Sequence, residues 1–240
     1  MTSQDLILST ALQSNKHWAS YTSSTNPTFF HSLSQSQTPS ILWLGCSDSR
    51  CPETTLLGLQ PGDVFTHRNI ANIISENDIS VNAVIEYAVT HLRVKSVFVV
   101  GHSCCGGVQA VLRSSDAERN KGKDSSPLTP WLSPLRQLAR ENRALLKTLD
   151  PESAALKLVE INVLSGVKNV KGKRVVREAM RDRGVRVHGL IYDVGCGILR
   201  EVDYGAGGRT VSSRKSAEGR NAESRSGRVG AGGRRGSLFV

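Results

Sequence analysis

The amino-acid sequence predicts a three-layer α/β/α fold, with a mainly parallel central sheet of four to five strands and an N-terminal helical arm. Three observations carry this expectation. Short apolar runs stop abruptly at a glycine or a polar residue, stretches with apolar residues three and four apart lie between them, and the two kinds alternate from Ser40 to Asp203. Strands covered on both faces read as continuous apolar runs, and helical crossovers supply the cover.

The first element spans residues 3–19, where Leu6, Leu8, Ala11 and Leu12 give a helix outside the sheet with one apolar face, suited to packing on a neighbouring chain. ILWLG at 41–45 reads as the first strand, and DVFTHRN at 63–69, introduced by the turn pair Pro61-Gly62, as the second. Val81, Val84, Ile85, Ala88, Val89 and Leu92 share one face of a helix over 81–92. VKSVFVVG at 94–101 is a β-branched strand, and a helix follows from near Val108 after Gly106-Gly107. Two long helical stretches, Pro127 to Leu149 and Glu152 to Val167, are divided by the stop-and-restart signal Asp150-Pro151. RVHGLIYDV at 186–194 supplies a fourth strand and ILREV at 198–202 a short fifth.

Residues 1–204 thus form one domain, and the character changes at Gly205. The segment 205–240 is rich in Gly, Ser and Arg with almost nothing to bury, so it reads as a disordered tail. It also explains the charge. Seven arginines and one lysine against two glutamates place +6 of the chain's +10 there, and the domain is left with an ordinary balance. Aromatic residues are absent from the tail until Phe239, so nucleic-acid binding is not expected. No apolar run approaches the roughly 18 residues of a membrane span. The N-terminus meets Asp5 before its first basic residue, Lys16, unlike a secretory or transit peptide, and the expected location is cytoplasmic.

Five cysteines are too few, and odd in number, for a secreted disulfide framework, and in a cytosolic chain they point to metal or catalytic chemistry. Two strands end in glycine followed at once by metal-competent residues: Gly45-Cys46-Ser47-Asp48-Ser49-Arg50, and Gly101-His102-Ser103-Cys104-Cys105-Gly106-Gly107. Ligands of open α/β sheets bind outside the carboxyl ends of the strands, so the two clusters converge if their strands are neighbours. Two thiolates and an imidazole suit zinc, and three protein ligands leave its fourth position open. Cys46 and His102 follow from this reasoning, whereas Cys104 and Cys105 compete for the third place. Asp48 can accept a hydrogen bond from water beside the metal, and a bidentate Arg50 would keep it ionised and in place. Cys51 and Cys196 read as inert thiols. No cysteine is followed six positions later by arginine, as a cysteine phosphatase requires, and the Gly106-Gly107 pair lacks the lysine of a phosphate-binding loop.

CSDSR at 46–50, PGDVFTHRNIAN at 61–72, GHSCCGGVQAV at 101–111 and, more weakly, VHGLIYDVGCGILRE at 187–201 together resemble the β-class carbonic anhydrases. The resemblance implies reversible hydration of carbon dioxide to bicarbonate and a proton, one zinc per subunit held by Cys46, His102 and Cys105, and a homodimer or homotetramer built on exchanged N-terminal helices. It implies an Asp48–Arg50 pair beside the metal, with Asp48 able to swing onto the zinc in a closed, inactive state. It also implies substrate contacts from Gln60, with Phe65, Val84 and Tyr87 as apolar wall, ordinary helix packing being the plainer reading of Val84 and Tyr87. Trp43, Arg68 and Tyr192 match positions that bind inhibitory bicarbonate in some bacterial members; the plainer reading buries Trp43 and Tyr192 in the core and pairs Arg68 with an acid. Rival functions are hydrolysis of CS2 or COS on the same fold, and a zinc-stabilised bicarbonate sensor without turnover.

Overall fold

The computed structural model describes residues 3–113 and 126–202, and the tail at 205–240 lies outside them. Helix α1 (Ser3–Thr25) and the short α2 (Phe29–Gln35) precede the sheet. Strand β1 (Ile41–Cys46), α3 (Glu53–Leu57), β2 (Val64–Asn69), α4 (Ile79–Glu86), β3 (Ser96–His102) and α5 (Gly106–Arg113) follow in order. After the undescribed 114–125 come α6 (Leu128–Trp131), α7 (Ser133–Glu141), α8 (Arg143–Leu146), α9 (Pro151–Gly172), α10 (Arg174–Arg183), β4 (Arg186–Asp193) and β5 (Ile198–Glu201).

The five strands lie in the order β2-β1-β3-β4-β5. The first four are parallel, and β5 returns antiparallel to β4 through a turn in which Gly197 takes φ 76° and donates its N–H to the Asp193 carbonyl at 2.8 Å. The chain leaves β1 toward β2 on one side, yet β3 lies on the other side of β1. Chain direction therefore reverses between β1 and β3, the place where open parallel sheets form a crevice at their carboxyl edge. With Leu44 opposite Val99, the two neighbours run on to end at Cys46 and His102.

Helix α9 covers one face of β3 and β4. Gly101 is what lets it approach: a Cβ there would lie 2.6 Å from Val159 Cγ1 and 2.8 Å from Val163 Cγ2. The core on this face joins Leu42, Leu44, Val97 and Val99 of the sheet to Ile85, Leu158, Val163 and Val167 of the helices. On the opposite face α3 meets β2, where Thr66 Oγ1 donates to Glu53 Oε1 at 3.2 Å.

The expected strands all form, within a residue or two of their sequence bounds. The helix expected at 81–92 starts earlier, at Ile79, because Asp78 caps it by accepting from Ser80 N–H at 2.9 Å, and its last turn widens to a π-type turn at Tyr87–His91. Asp150 caps α9 by accepting from Glu152 and Ser153 N–H, so the stop-and-restart reading holds. The stretch from Pro127 to Leu149 is three short helices rather than one long one: Leu132 and Asn142 take ψ values of 0° and 16° and break the ladder. Helix α10 is not foreseen, since its surface is mostly charged and only Val176 and Ala179 are buried. Helix α1 runs longer than expected and leaves Leu6, Ile7, Leu8 and Leu12 exposed. No helix among the described residues is long and apolar enough to cross a membrane.

The contact at Gly101 is testable. Gly101→Val should lower stability by about 1–3 kcal/mol through overpacking, read as a lower urea midpoint at unchanged slope. Gly172→Ala, whose added Cβ meets nothing within 4 Å, should not lower the midpoint.

Candidate metal centre

The two strand ends deliver Cys46 and His102 to the same point, and the loop after β3 adds Cys105. The two thiol sulfurs and a ring nitrogen lie within 4.8 Å of one another, and all three residues are buried, at 7%, 1% and 3% exposure. Cys104 is the residue left out. It is exposed, with a left-handed backbone (φ 57°) that turns the chain so that Cys105 faces inward. Cys105 sits at the start of α5, its carbonyl accepting from Gln109 N–H at 3.0 Å. The amides of Val108 and Gly107 point at its sulfur, an arrangement that favours thiolate.

His102 presents a defined tautomer. Its Nδ1 lies 2.9 Å from the Ser103 carbonyl and donates to it, which leaves Nε2 as the lone-pair nitrogen. That Nε2 is buried with no hydrogen-bond partner, while facing two sulfurs. An orphaned imidazole nitrogen beside two thiols is a donor set that fits zinc, with tetrahedral coordination completed by one further ligand.

With no cation, the three groups must share protons. Hydrogen bonding from Cys105 outweighs burial and, with His102 assisting, brings the Cys46 thiol down to about 4. Cys105 is pushed up by holding that proton toward Cys46 and by burial. Burial works against a charged His102, but the sulfurs of Cys46 and Cys51 beside it prevail and raise the ring to about 10.

Asp48 stands over this cluster, clasped by Arg50. Arg50 Nε donates to Oδ1 at 2.9 Å, Nη2 donates to Oδ2 at 2.7 Å, and the Arg50 backbone N–H adds a third bond to Oδ1 at 3.0 Å. These bonds hold the Asp48 carboxyl well below the usual carboxylate range. Oδ2 lies 3.9 Å from His102 Nε2, so the carboxylate borders the metal position. Arg50 Nη2 also donates to the Cys104 carbonyl at 3.2 Å, tying the two strand-end loops together.

Residues 41–199 match the family model for carbonic anhydrase. The chain belongs to the carbonic anhydrase family, in its β class. It is 37% identical over 193 residues to a carbonic anhydrase of Emericella nidulans, covering 80% of this chain and 81% of that one. Among solved structures, the β-carbonic anhydrase CafA of Aspergillus fumigatus shares 54% identity with a TM-score of 0.76, over 82% of this chain and 90% of that one. A tetrameric β-carbonic anhydrase of Sordaria macrospora shares 45% with a TM-score of 0.77, over 85% and 99%.

Of the other sequence-expected residues of this carbonic anhydrase, Arg68 braces the cluster's loop and the rest pack elsewhere. Arg68 is committed to the Cys46–Asp48 loop: Nε donates to the Cys46 carbonyl at 2.8 Å and Nη2 to the Asp48 carbonyl, while Nη1 stands 3.7 Å from Glu53 Oε2. Trp43 is fully buried, its indole lying over Gly45, and Tyr192 is buried two strands away opposite His102. The described chain therefore holds Trp43, Arg68 and Tyr192 as packed or paired groups, spread over three strands. Phe65 pairs in register with Leu42, four residues before the Asn69–Cys46 pair, and stacks on Tyr87 at 5.7 Å between ring centres. Val84 packs on the core and Gln60 is exposed in the preceding turn, its N–H donating to Asp63 Oδ2 at 2.8 Å. Within one chain Gln60, Phe65 and Tyr87 sit toward the amino end of β2, not at the cluster.

Sequence reasoning missed the third strand end. Ser103 Oγ donates to Asp193 Oδ1 at 3.2 Å and accepts from Val194 N–H at 2.9 Å, so β4 anchors the His102–Cys105 loop. The signal was available: Asp193 is a polar residue that ends an apolar strand, as Cys46 and His102 do.

Zinc takes cysteine as thiolate and histidine through a free ring nitrogen, so binding expels the protons those atoms hold. The sign follows: affinity falls as pH falls, because protons compete for the same atoms. Metal titrations of the zinc-free protein in buffers of different ionisation enthalpy should show that proton release, and a pH-independent affinity between pH 6 and 8 would contradict it.

Proposed function

We propose that the zinc-dependent hydration of carbon dioxide by this carbonic anhydrase runs at the Cys46, His102 and Cys105 cluster, with Asp48 and Arg50 as its working pair. The observation that carries this reading is the buried, unpartnered Nε2 of His102 set between two thiols, directly beneath an Asp48 that Arg50 holds by both oxygens. When bound, zinc supplies Lewis-acid polarisation and acidifies water, less strongly with two thiolates cancelling its charge than with three neutral imidazoles.

The chain's own residues supply the rest. Asp48 stays ionised at every working pH, so it accepts hydrogen bonds and has no proton to give. It takes the O–H of the attacking water and aims the oxygen lone pair at the substrate carbon. Arg50 keeps that carboxylate in one orientation, and it also supports the Cys104 carbonyl. Arg68 fixes the loop below by its bonds to the Cys46 and Asp48 carbonyls, so Asp48 is positioned from its backbone as well as its side chain. Bicarbonate departs, and the released proton passes to solvent or buffer.

The active assembly in this reading is a homodimer or homotetramer. The tetrameric Sordaria relative supports it, and so does the exposed apolar surface of α1, where Leu6, Ile7, Leu8, Leu12 and Tyr21 are more than half exposed. The placement of Phe65, Tyr87 and Gln60 away from the cluster of their own chain also supports it, since those residues would serve the cluster of a second copy.

Asp48→Asn should keep its zinc, measured by metal analysis, and lose turnover by roughly a hundredfold or more in stopped-flow CO2 hydration. Full activity in that variant would remove Asp48 from the mechanism. Arg50→Lys, which keeps the charge but loses the fork, should fall well below wild type at equal zinc content. For the assembly, Leu8→Glu with Leu12→Glu should shift the mass measured by light scattering toward a single chain and lower activity with it.

A further inference from the structure

Beside the metal centre, and separate from it, a cleft of about 1100 Å³ opens between α5, α7, α8 and the start of α9. Its lining includes Ser103 and Cys104 but none of Cys46, Asp48, Arg50, His102 or Cys105. We propose that this cleft is a binding site for a small organic polyanion, a molecule carrying two or more phosphate or carboxylate groups on a carbon frame.

The charge of the walls is the first argument. Six cationic side chains line the cleft: Arg113, Arg136, Arg140, Arg143, Lys147 and Arg200. Among the described lining residues the acids are Glu152 and Asp193, and Asp193 is already engaged by Ser103 Oγ and by Gly195 N–H at 2.8 Å. Arg200 is satisfied by Glu160 at 2.7 Å. Arg113, Arg140 and Lys147 make no ion pair among the described residues, and the nearest partner of Arg140 is the neutral Gln137, at 2.8 Å. Arg136 gives one guanidinium N–H to the Thr129 carbonyl, while its Nε is buried with no partner.

The spacing is the second argument. Arg136 and Arg140 stand four residues apart on α7, the interval that stacks side chains on one helical face, and Lys147, just past the end of α8, lines the same cleft. Like charges at this interval repel and destabilise a helix. Cations gathered on a concave wall are an arrangement that a bound anion offsets. Guanidinium groups suit this role because their forked donors match phosphate and carboxylate oxygens.

Size and floor give the class of ligand. The volume is that of a site for a metabolite-sized molecule and far exceeds the needs of bicarbonate. Val111, Leu112, Leu146 and Ala155 provide an apolar floor for a carbon frame, which a bare inorganic ion would not use.

The test uses the zinc-loaded full chain and isothermal titration with two probes that hold zinc weakly, fructose 1,6-bisphosphate for phosphates and tricarballylate for carboxylates. At least one should bind once per chain, more weakly as salt is raised. Arg140→Glu with Lys147→Glu should weaken that binding at least tenfold, whereas Lys168→Glu with Arg177→Glu, the same charge change elsewhere, should leave it within twofold. Retained CO2 hydration establishes that each variant is folded, and Arg140→Gln with Lys147→Gln replaces the first pair if it is not. Which probe binds identifies the anionic group. The proposal is overturned if neither probe binds more tightly than about 1 mM, or if both charge-changed pairs weaken binding equally.

Discussion

Three soft donor atoms held within 4.8 Å of one another and shut away from water are a demanding arrangement for any chain. Two thiols and an imidazole in that space must share a cation or trade protons, and either solution requires that the backbone beneath them not move. The rest of the fold can be understood as the means of meeting that demand. Neighbouring parallel strands end at Cys46 and His102, and α9 presses on Gly101 immediately before the histidine. A third strand end, at Asp193, ties down the loop that carries Cys105.

The same economy governs the polar groups around the cluster. Arg68, on β2, spends its guanidinium on the carbonyls of Cys46 and Asp48, and Arg50 spends its own on the Asp48 carboxylate and the Cys104 carbonyl. Two arginines thus brace one loop from below and from the side. Arg68 is the more buried of the two and Arg50 is half exposed, which divides the work between holding the loop's path and holding the carboxylate's angle.

Much of this was legible in the amino-acid sequence, for identifiable reasons. Strand ends were readable because a polar, metal-competent residue following Gly45 or Gly101 interrupts an apolar run, and the parallel order of the sheet then brought Cys46 and His102 together. The choice between Cys104 and Cys105 was not readable from spacing: it depends on the left-handed backbone at Cys104 and on the start of α5, both properties of a path rather than of a composition. Phe65 and Tyr87 are recognisable by resemblance, but strand register puts Phe65 four residues below the cluster, with Tyr87 stacked on it, a distance that no motif expresses. The 127–149 stretch reads as helical from its leucines alone, and its breaks follow from Pro134, which starts α7 just after Leu132, and from Asn142, which ends it. Helix α10 escaped notice because its charged surface hides the two buried residues that anchor it.

The Asp48 clasp has a bearing on time as well as on position. Three donors of one residue hold the carboxylate, two from the guanidinium fork and one from the backbone amide. A partial rotation of Asp48 gains nothing, because the planar fork loses both of its bonds together while the amide bond strains. Any departure of Asp48 from this orientation has to break those bonds together, so the carboxylate keeps its angle for as long as the Arg50 fork stays closed.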